Sequence, residues 1–532
     1  MTAQGEPAGG SHRSLWPTRW LACLSACILS ALPLAVVLDS NGSRIPLDPL
    51  EVARTLLAGF GVTLGLLWLL RPLQRDLVAR AIWLSWIFAL FTVYQPVIGA
   101  LRRYGASFRT GDAGPALGFT LGAVAVATVC TRPWQARRRD PVPLFIVAGL
   151  FLAANLYLGW SVSRGATTGP WRPAADALIA TGAETRAPRP RTAARDIYYV
   201  ILDGFGRADT LRQYYGLDLE PFISFLRSKG FFVADAAQSN YSQTFLSIGS
   251  TLNLGYVDGL SRALGKDNGD RRPLGYLIAH NALMQAARDA GYQVIGIASD
   301  YMATSRLEAA DVCICDQYGL NEIDQVTIGL TPLVALPLER WTFDAHRRKV
   351  MEAFAALGRT RRSSDPVLVF AHIVAPHPPF VFGPDGGPRQ PVSTAYMFND
   401  GIRYDGTRSD YYSGYRDQAQ FVARQVTALI ETLLERPGPT PVIVLHADHG
   451  PGLTFWSEQT TPAMLRERMT IFAAYRFPDG PDLYPTITPV NGARLLANGY
   501  FGTSLSLLPD QSWFSYYGRP YDFIPVEALP PR

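Results

Sequence analysis

Five stretches of the chain carry no charged residue and are apolar almost throughout: 20–38, 55–70, 81–101, 113–131 and 141–163. A helix needs about 20 such residues to cross the hydrocarbon of a bilayer, with a working range of about 17–25. Four of the stretches have that length. The stretch 55–70 has 16 residues between Arg54 and Arg71 and spans if those arginines snorkel to the interface. Stretch 113–131 is rich in Gly and Ala and has the faintest signal of the five. Trp20, Trp68, Trp83, Trp86 and Trp160 lie toward the ends, as an interfacial aromatic belt requires. The first run follows Arg13 and Arg19 in the manner of a signal peptide. Its 19 residues and the four runs behind it read instead as a retained span.

Beyond residue 163 the pattern changes twice. Residues 164–194 are dominated by Ala, Thr, Arg and Pro and read as a linker with one short helix near 174–181. From Asp196 onward, short β-branched and aromatic runs end in polar residues: DIYYVILDG (196–204), GYQVIGIASD (291–300), PVLVFAHIVAPH (366–377) and PVIVLHADHG (441–450). Such continuous apolar runs are strands buried on both faces of a parallel sheet. Helical patterns lie between them, at 220–229, 282–290 and 412–436. The expected architecture is a five-span α-helical membrane anchor (1–163), the linker, and an α/β external domain (195–532) with a mostly parallel central sheet.

Composition sharpens this division. Only 17% of the 532 residues are charged and 48% are apolar, against roughly 25% charged in an ordinary soluble domain. Residues 1–190 contain no lysine, and the whole chain has 46 arginines against 3 lysines, the mark of a GC-rich bacterial genome. A net charge of +5, scattered along the chain, points to no nucleic-acid partner. Arginine placement orients the anchor. Nine arginines (13, 19, 71, 75, 80, 132, 137, 138, 139) fall on one side and five (44, 54, 102, 103, 109) on the other. Positive-inside then puts the N-terminus in the cytoplasm and the α/β domain outside a bacterial inner membrane, in the periplasmic or extracytoplasmic space. Cys23, Cys27 and Cys130 lie in apolar runs, where small-residue packing is their expected role. A bridge between Cys313 and Cys315 would span a single residue, a strained and rare arrangement, and the sequence leaves their pairing open.

Ligands of parallel sheets bind beyond the carboxyl ends of the strands, and the candidate chemistry collects there. Asp203 ends the first run, His372 and His377 belong to the third, and His446, Asp448 and His449 to the fourth. Carboxylates with an imidazole suit Zn²⁺ or Mn²⁺ better than Ca²⁺. Between them lies SNYSQTFLSIGSTLN (239–253), which places Ser242 or Thr244 at the start of a helix. A hydroxyl there is ordinarily a cap; the same geometry also presents an oxygen and free N–H groups to an anion. A hydroxyl becomes a useful nucleophile only beside a base or metal, which Asp203, Asp448 and His449 would supply. Each of the remaining candidates has a bland alternative. Arg207 is a phosphate ligand or a solvated helix-start arginine. Asn240 and Asn253 reach a substrate oxygen or cap locally. His446, on the same strand face as Asp448, packs or supports it.

Taken in order, VILDGFGRADT, NYSQTFLS, AHIVAPHPPF and VIVLHADHGPG resemble the sulfatase-like branch of the alkaline phosphatase superfamily. The anchor with an external domain resembles lipoteichoic acid synthases and lipid A phosphoethanolamine transferases. The segment LYPTITPVNGARLLANGYFG (483–502) is similar to membrane sulfatase-like proteins. By motif the resemblance covers about 196–530; for the membrane half it is architectural only. It implies Thr244 as nucleophile and metal ligand, Asp203, Asp448 and His449 as the other ligands, and His377 as a phosphoryl-binding or leaving-group residue. Two departures stand out. Many of the transferases have Glu where this chain has Asp203, and the chain has no histidine after His449, which favours one metal ion over two. The formylglycine context of sulfatases is missing, since Thr244-Phe245-Leu246-Ser247-Ile248 has neither its Pro nor its Arg. The activity implied is transfer of phosphoglycerol or phosphoethanolamine from a phospholipid donor to a glycan or lipid hydroxyl. A phosphodiester hydrolase with water as acceptor is the alternative, and a non-catalytic sensor or scaffold a third reading. Oligomeric state is not readable from the sequence.

Overall fold

The computed structural model describes residues 16–41, 48–104, 112–137, 149, 169–183 and 195–531, apart from 316–318, 339–340, 363–364, 393–395, 397 and 456–458. The chain divides into two compact units. One comprises 1–39, 49–161 and 327–335, and the other 40–48, 162–326 and 336–532.

The first unit is helical. Three helical stretches are long and apolar enough to cross a membrane: Pro49–Leu69, Leu77–Arg103 and Ala113–Arg132. A fourth candidate is the pair Arg19–Ser30 and Leu32–Asp39, bent by 41°. The predicted runs 20–38, 81–101 and 113–131 fall within these, and 55–70 overruns Leu69 by one residue; apart from residue 149, 141–163 lies outside the described residues. The second stretch gains length by starting at Pro49, so that Arg54 lies inside the helix and not at its edge. Leu77–Arg103 is interrupted, one helix ending at Phe91 and the next starting at Tyr94. Small residues bring the helices together, with Ala22, Ala26 and Ala81 buried among Leu67 and Leu84. Hydroxyls inside the spans bond back to the preceding turn, as Thr63 Oγ1 does to Gly59 O (2.8 Å) and Ser85 Oγ to Ala81 O (2.8 Å). Polar groups without water need such partners. Leu57, Val62, Leu64, Trp68, Leu117, Leu121 and Val129 face outward, a surface that only lipid solvates well.

The second unit is built on a seven-stranded sheet. Its strands are β1 (Ile197–Leu202), β2 (Phe232–Val233), β3 (Gln293–Ile297), β4 (Val312–Ile314), β5 (Val367–Ile373), β6 (Val442–His446) and β7 (Ala473–Arg476), in the order β2-β7-β6-β1-β5-β3-β4. β6, β1, β5, β3 and β4 run parallel; β7 is antiparallel to β6 and β2 to β7. A further pair, β8 (Ser512–Phe514) and β9 (Ile524–Val526), forms a separate ribbon. The four predicted strands are β1, β3, β5 and β6, and β1 is buried along its whole length. Helices Glu220–Ser228, Ala282–Asp289 and Arg408–Leu434 appear where the pattern predicts them. Part of the predicted linker is structured: Arg172–Ala183 is helical, and Trp171 and Ala175 are buried in the core of this unit. Cys313 and Cys315 form a disulfide, with Cα atoms 5.3 Å apart.

Register fixes what the strands deliver. Ile201 on β1 lies opposite His372 on β5 and His446 on β6. Side chains alternate along a strand, so Asp203, two residues past Ile201, projects to the same face as both histidines. Phe370 on β5 is buried against Tyr199, with ring centroids 6.0 Å apart, just below this level. Phe370→Ala is expected to destabilise the domain by about 3–5 kcal/mol, read as a loss of unfolding free energy in urea titration of the detergent-solubilised chain.

Candidate metal and catalytic site

At the carboxyl end of β1 the chain turns through Gly204, whose φ is 74°, a left-handed conformation that favours glycine. The turn aims Gly204 N at Asp448 Oδ1 (3.1 Å), tying the end of β1 to the end of β6. Gly450 is needed for a different reason. A Cβ there would lie 2.0 Å from Glu467 O and 3.0 Å from Thr470 O, so the Asp-His-Gly turn packs backbone to backbone. The helix Thr244–Leu252 begins at the same place, with all of its residues buried and Ser247 Oγ donating to Asp448 O (2.7 Å).

These elements bring Asp203, Thr244, Asp448, His449 and His377 together. Thr244 Oγ1 is 3.1 Å from His449 Nε2, which lies 3.5 Å from Asp203 Oδ1 and 3.3 Å from Asp448 Oδ2. His449 Nδ1 donates to Gly450 O (2.9 Å), leaving Nε2 with its lone pair toward the site. Burial, aided by the Arg468 charge, lowers the His449 pKa and keeps Nε2 unprotonated. His377 has the same arrangement, with Nδ1 on Pro378 O (2.6 Å) and Nε2 facing Asp400 Oδ2 at 3.8 Å. Burial works against ionisation of Asp203, yet His377, His372 and His449 outweigh it and hold its carboxyl below the usual range.

Two carboxylate oxygens in this cluster, Asp203 Oδ1 and Asp448 Oδ2, are buried without a hydrogen-bond partner among the described residues. Buried anionic oxygens left unpaired are costly, and a cation between them removes the cost. Potential ligand atoms within 4.8 Å of one another form two overlapping sets, Asp203–His377–His449 and Asp203–His372–Asp448. The donors are carboxylate oxygens and imidazole nitrogens, which fit Zn²⁺ or Mn²⁺.

The other candidates separate clearly. His372 belongs to this cluster, its Nε2 3.3 Å from Asp203 Oδ2 and its Nδ1 2.8 Å from Thr304 Oγ1. His446 lies beneath it, bonded through Nε2 to the Tyr199 hydroxyl (2.9 Å) and through Nδ1 to Ala447 O. Burial pushes its pKa down to about 4, so it is a neutral packed residue at physiological pH. Arg207 directs its guanidinium to Asp209 (2.7 and 3.0 Å), Ala237 O and Leu529 O. Asn240 joins Gln511 O and Val490 N. Asn253 joins Gly249 O, Leu277 O and Ala282 N. These three side chains organise the fold around the site.

Sequence reasoning missed Arg468 and Asp400. Arg468 is buried with Nη2 3.1 Å from His449 Nε2, Nη1 on Gly450 O (3.1 Å) and on Asp400, and Nε on Ser242 O (3.0 Å). Asp400 also accepts from Tyr411 OH (2.6 Å), and although burial opposes its ionisation, Arg468 and His377 hold its carboxyl in the charged form. Arg468 sits in an Arg-Glu-Arg run that reads as helix surface, and nothing in the local pattern distinguishes it from the other arginines.

No protein-family model matches the chain, and no curated protein matches it. Solved structures with a similar fold include the C-terminal periplasmic domain of EcEptC from Escherichia coli, at 14% identity and a TM-score of 0.40, covering 65% of this chain and 98% of that one. The integral membrane lipooligosaccharide phosphoethanolamine transferase A of Neisseria meningitidis is 12% identical at a TM-score of 0.34, covering 86% and 88%. A sulfatase of glycosaminoglycan metabolism from Bacteroides thetaiotaomicron is 14% identical at 0.37, covering 62% and 83%. The neighbours thus include a phosphoethanolamine transferase and a sulfatase. At these TM-scores they assign no role to any residue of this chain.

Asp448→Asn is expected to weaken Zn²⁺ or Mn²⁺ retention by at least about tenfold, measured by elemental analysis after dialysis against graded chelator. Arg212→Gln, a change at an exposed arginine paired with Asp218, is expected to retain the full metal content.

Proposed function

We propose that the chain is a membrane-anchored, metal-dependent phosphoryl-alcohol transferase that uses Thr244 as its nucleophile. The observation that carries this reading is the Thr244 hydroxyl at a buried helix start, 3.1 Å from His449 Nε2 and beside two unpaired carboxylate oxygens. One divalent ion held by Asp203, Asp448 and His449 would lower the hydroxyl pKa and neutralise charge on the phosphoryl group. The fixed charge of Arg468 beside His449, and the lack of any later histidine, support one ion.

The chain's own groups then divide the work. Thr244 Oγ1, its proton released to solvent before attack, attacks the phosphorus of a phospholipid headgroup, phosphoglycerol or phosphoethanolamine, and the bond to diacylglycerol breaks; Thr244 leaves again as the same alkoxide in the second half-reaction. His377, protonated on both nitrogens with Nε2 facing Asp400, gives its Nε2 proton to the departing oxygen. In the second half-reaction it takes the proton of a glycan or lipid hydroxyl that displaces Thr244 from phosphorus. Asp400 orients this exchange by facing His377 while holding Arg468. Arg468 Nη2, pointed at the reaction centre, is the donor for a phosphoryl oxygen. A donor that stays in the bilayer explains the apolar anchor. An extracytoplasmic domain is supported by the Cys313–Cys315 disulfide, a bond of oxidising compartments.

Thr244→Ala is expected to lower diester cleavage by at least about a thousandfold with metal content retained. Mass spectrometry of the parent enzyme quenched during turnover is expected to find a phosphoglycerol or phosphoethanolamine adduct on Thr244. Full activity of the alanine variant would refute the assignment. Release of free headgroup in the presence of saturating acceptor would instead identify a hydrolase.

A further inference from the structure

A second group of charges reaches the side chain of the residue that precedes the nucleophile. Gln243, which precedes Thr244, uses its amide nitrogen on Ser515 Oγ (2.9 Å) and Tyr516 O (3.0 Å), and its Oε1 accepts from Arg271 Nη2 (3.0 Å). Arg271 is only 5% exposed. Its other donors go to main-chain carbonyls, those of Gly269 and Tyr517. The carboxylate next to it in sequence, Asp270, is engaged with Arg272 at 2.7 Å. Among the described residues no carboxylate lies within ion-pair distance of Arg271 or of Arg403. Yet both guanidiniums lie against one ring, that of Tyr517, at 4.0 and 4.1 Å from its centroid. Tyr517 is 45% exposed and Arg403 is exposed, so the stack runs from solvent inward to Gln243.

A tyrosine face attracts one cation well, but it does not neutralise two, and a buried guanidinium without a counter-ion is costly. Two guanidiniums gathered on one ring make a site whose charge an anion complements. The phospholipid donor does not supply it. Its phosphate is the reacting group, taken by the Thr244 centre, and an ethanolamine headgroup is itself a cation that two arginines repel. We propose that Arg271, Tyr517 and Arg403 form the acceptor subsite of the Thr244 centre, built for a sugar carrying a phosphate or carboxylate. The inference rests on the transferase reading for its role, though not for its ligand chemistry. Binding there holds the acceptor hydroxyl beside Thr244 while its anion sits against the two guanidiniums.

The test is calorimetric titration of the full chain, metal-loaded in detergent and carrying Thr244→Ala so that no turnover intervenes. Glucose 6-phosphate, glucuronate and glucose are the probes. One or both of the anionic sugars are expected to bind at least about tenfold tighter than glucose, and which does so tells phosphate from carboxylate. Arg403→Gln, at an exposed position that does not threaten folding, is expected to erase that preference. Arg403→Lys is expected to keep it within about threefold, and raised salt to weaken it. Equal binding of all three sugars, or an unchanged preference in Arg403→Gln, would overturn the proposal. These readouts do not depend on the threonine. A failed Thr244 reading therefore shows as retained cleavage in Thr244→Ala, and a failed anion subsite shows as lost sugar discrimination.

Discussion

Two carboxylates, Asp203 and Asp448, converge at the ends of adjacent parallel strands where water does not reach them. Most of the surrounding architecture follows from tolerating that juxtaposition. Like charges in a poorly polarisable interior repel strongly, and the fold answers with donors wherever it can. Gly204 N serves one oxygen of Asp448, and three imidazoles surround Asp203. What it leaves unserved, one oxygen on each carboxylate, is the opening a metal ion fits.

Holding such a cluster rigid takes a second layer of bonds, and this layer explains several buried polar side chains. Tyr415 donates to Gly204 O (2.9 Å) and accepts from Gly206 N (3.1 Å), clasping the turn after β1. Glu467 accepts from Leu453 N, Thr454 N and Tyr215 OH, pinning the loop that leaves Asp-His-Gly. Burial raises its pKa, and these donors partly offset the rise. Ligand atoms must be placed within a fraction of an ångström to bind a metal well, and these contacts, joined through the Tyr215–Tyr415 ring pair at 4.5 Å, supply that constraint.

The sequence made visible what is local or periodic. β1, β3, β5 and β6 are continuous apolar runs, and their polar ends point to one edge of the sheet, so Asp203, Asp448 and His449 could be singled out by position alone. β2 and β7 escaped notice because they are only two and four residues long, and Ala473–Arg476 has no β-branched residue to mark it. His372 was placed near the site by its strand, but its contact with Asp203 depends on register, which no single strand encodes. Arg468, Asp400, Arg271 and Tyr517 come from loops and helix ends far apart in sequence. Their roles are pairwise, and a pattern read along one segment cannot show a pair.

The arginine bias takes on a different meaning in this light. With 46 arginines against 3 lysines it first reads as genome composition and as a topology signal. The folded domain also uses arginine where lysine would fail. Arg468 donates in four directions, to Ser242 O, Gly450 O, Asp400 and His449, while remaining charged although buried. An ammonium has one nitrogen and three donors, and sheds its proton readily when desolvated. The guanidinium stays charged and spans several acceptors at once. A domain that assembles its polar interior from fixed, many-handed cations can place positive charge beside a buried carboxylate cluster without relying on pH. That property suits the proposed phosphodiester substrate, itself a permanent anion.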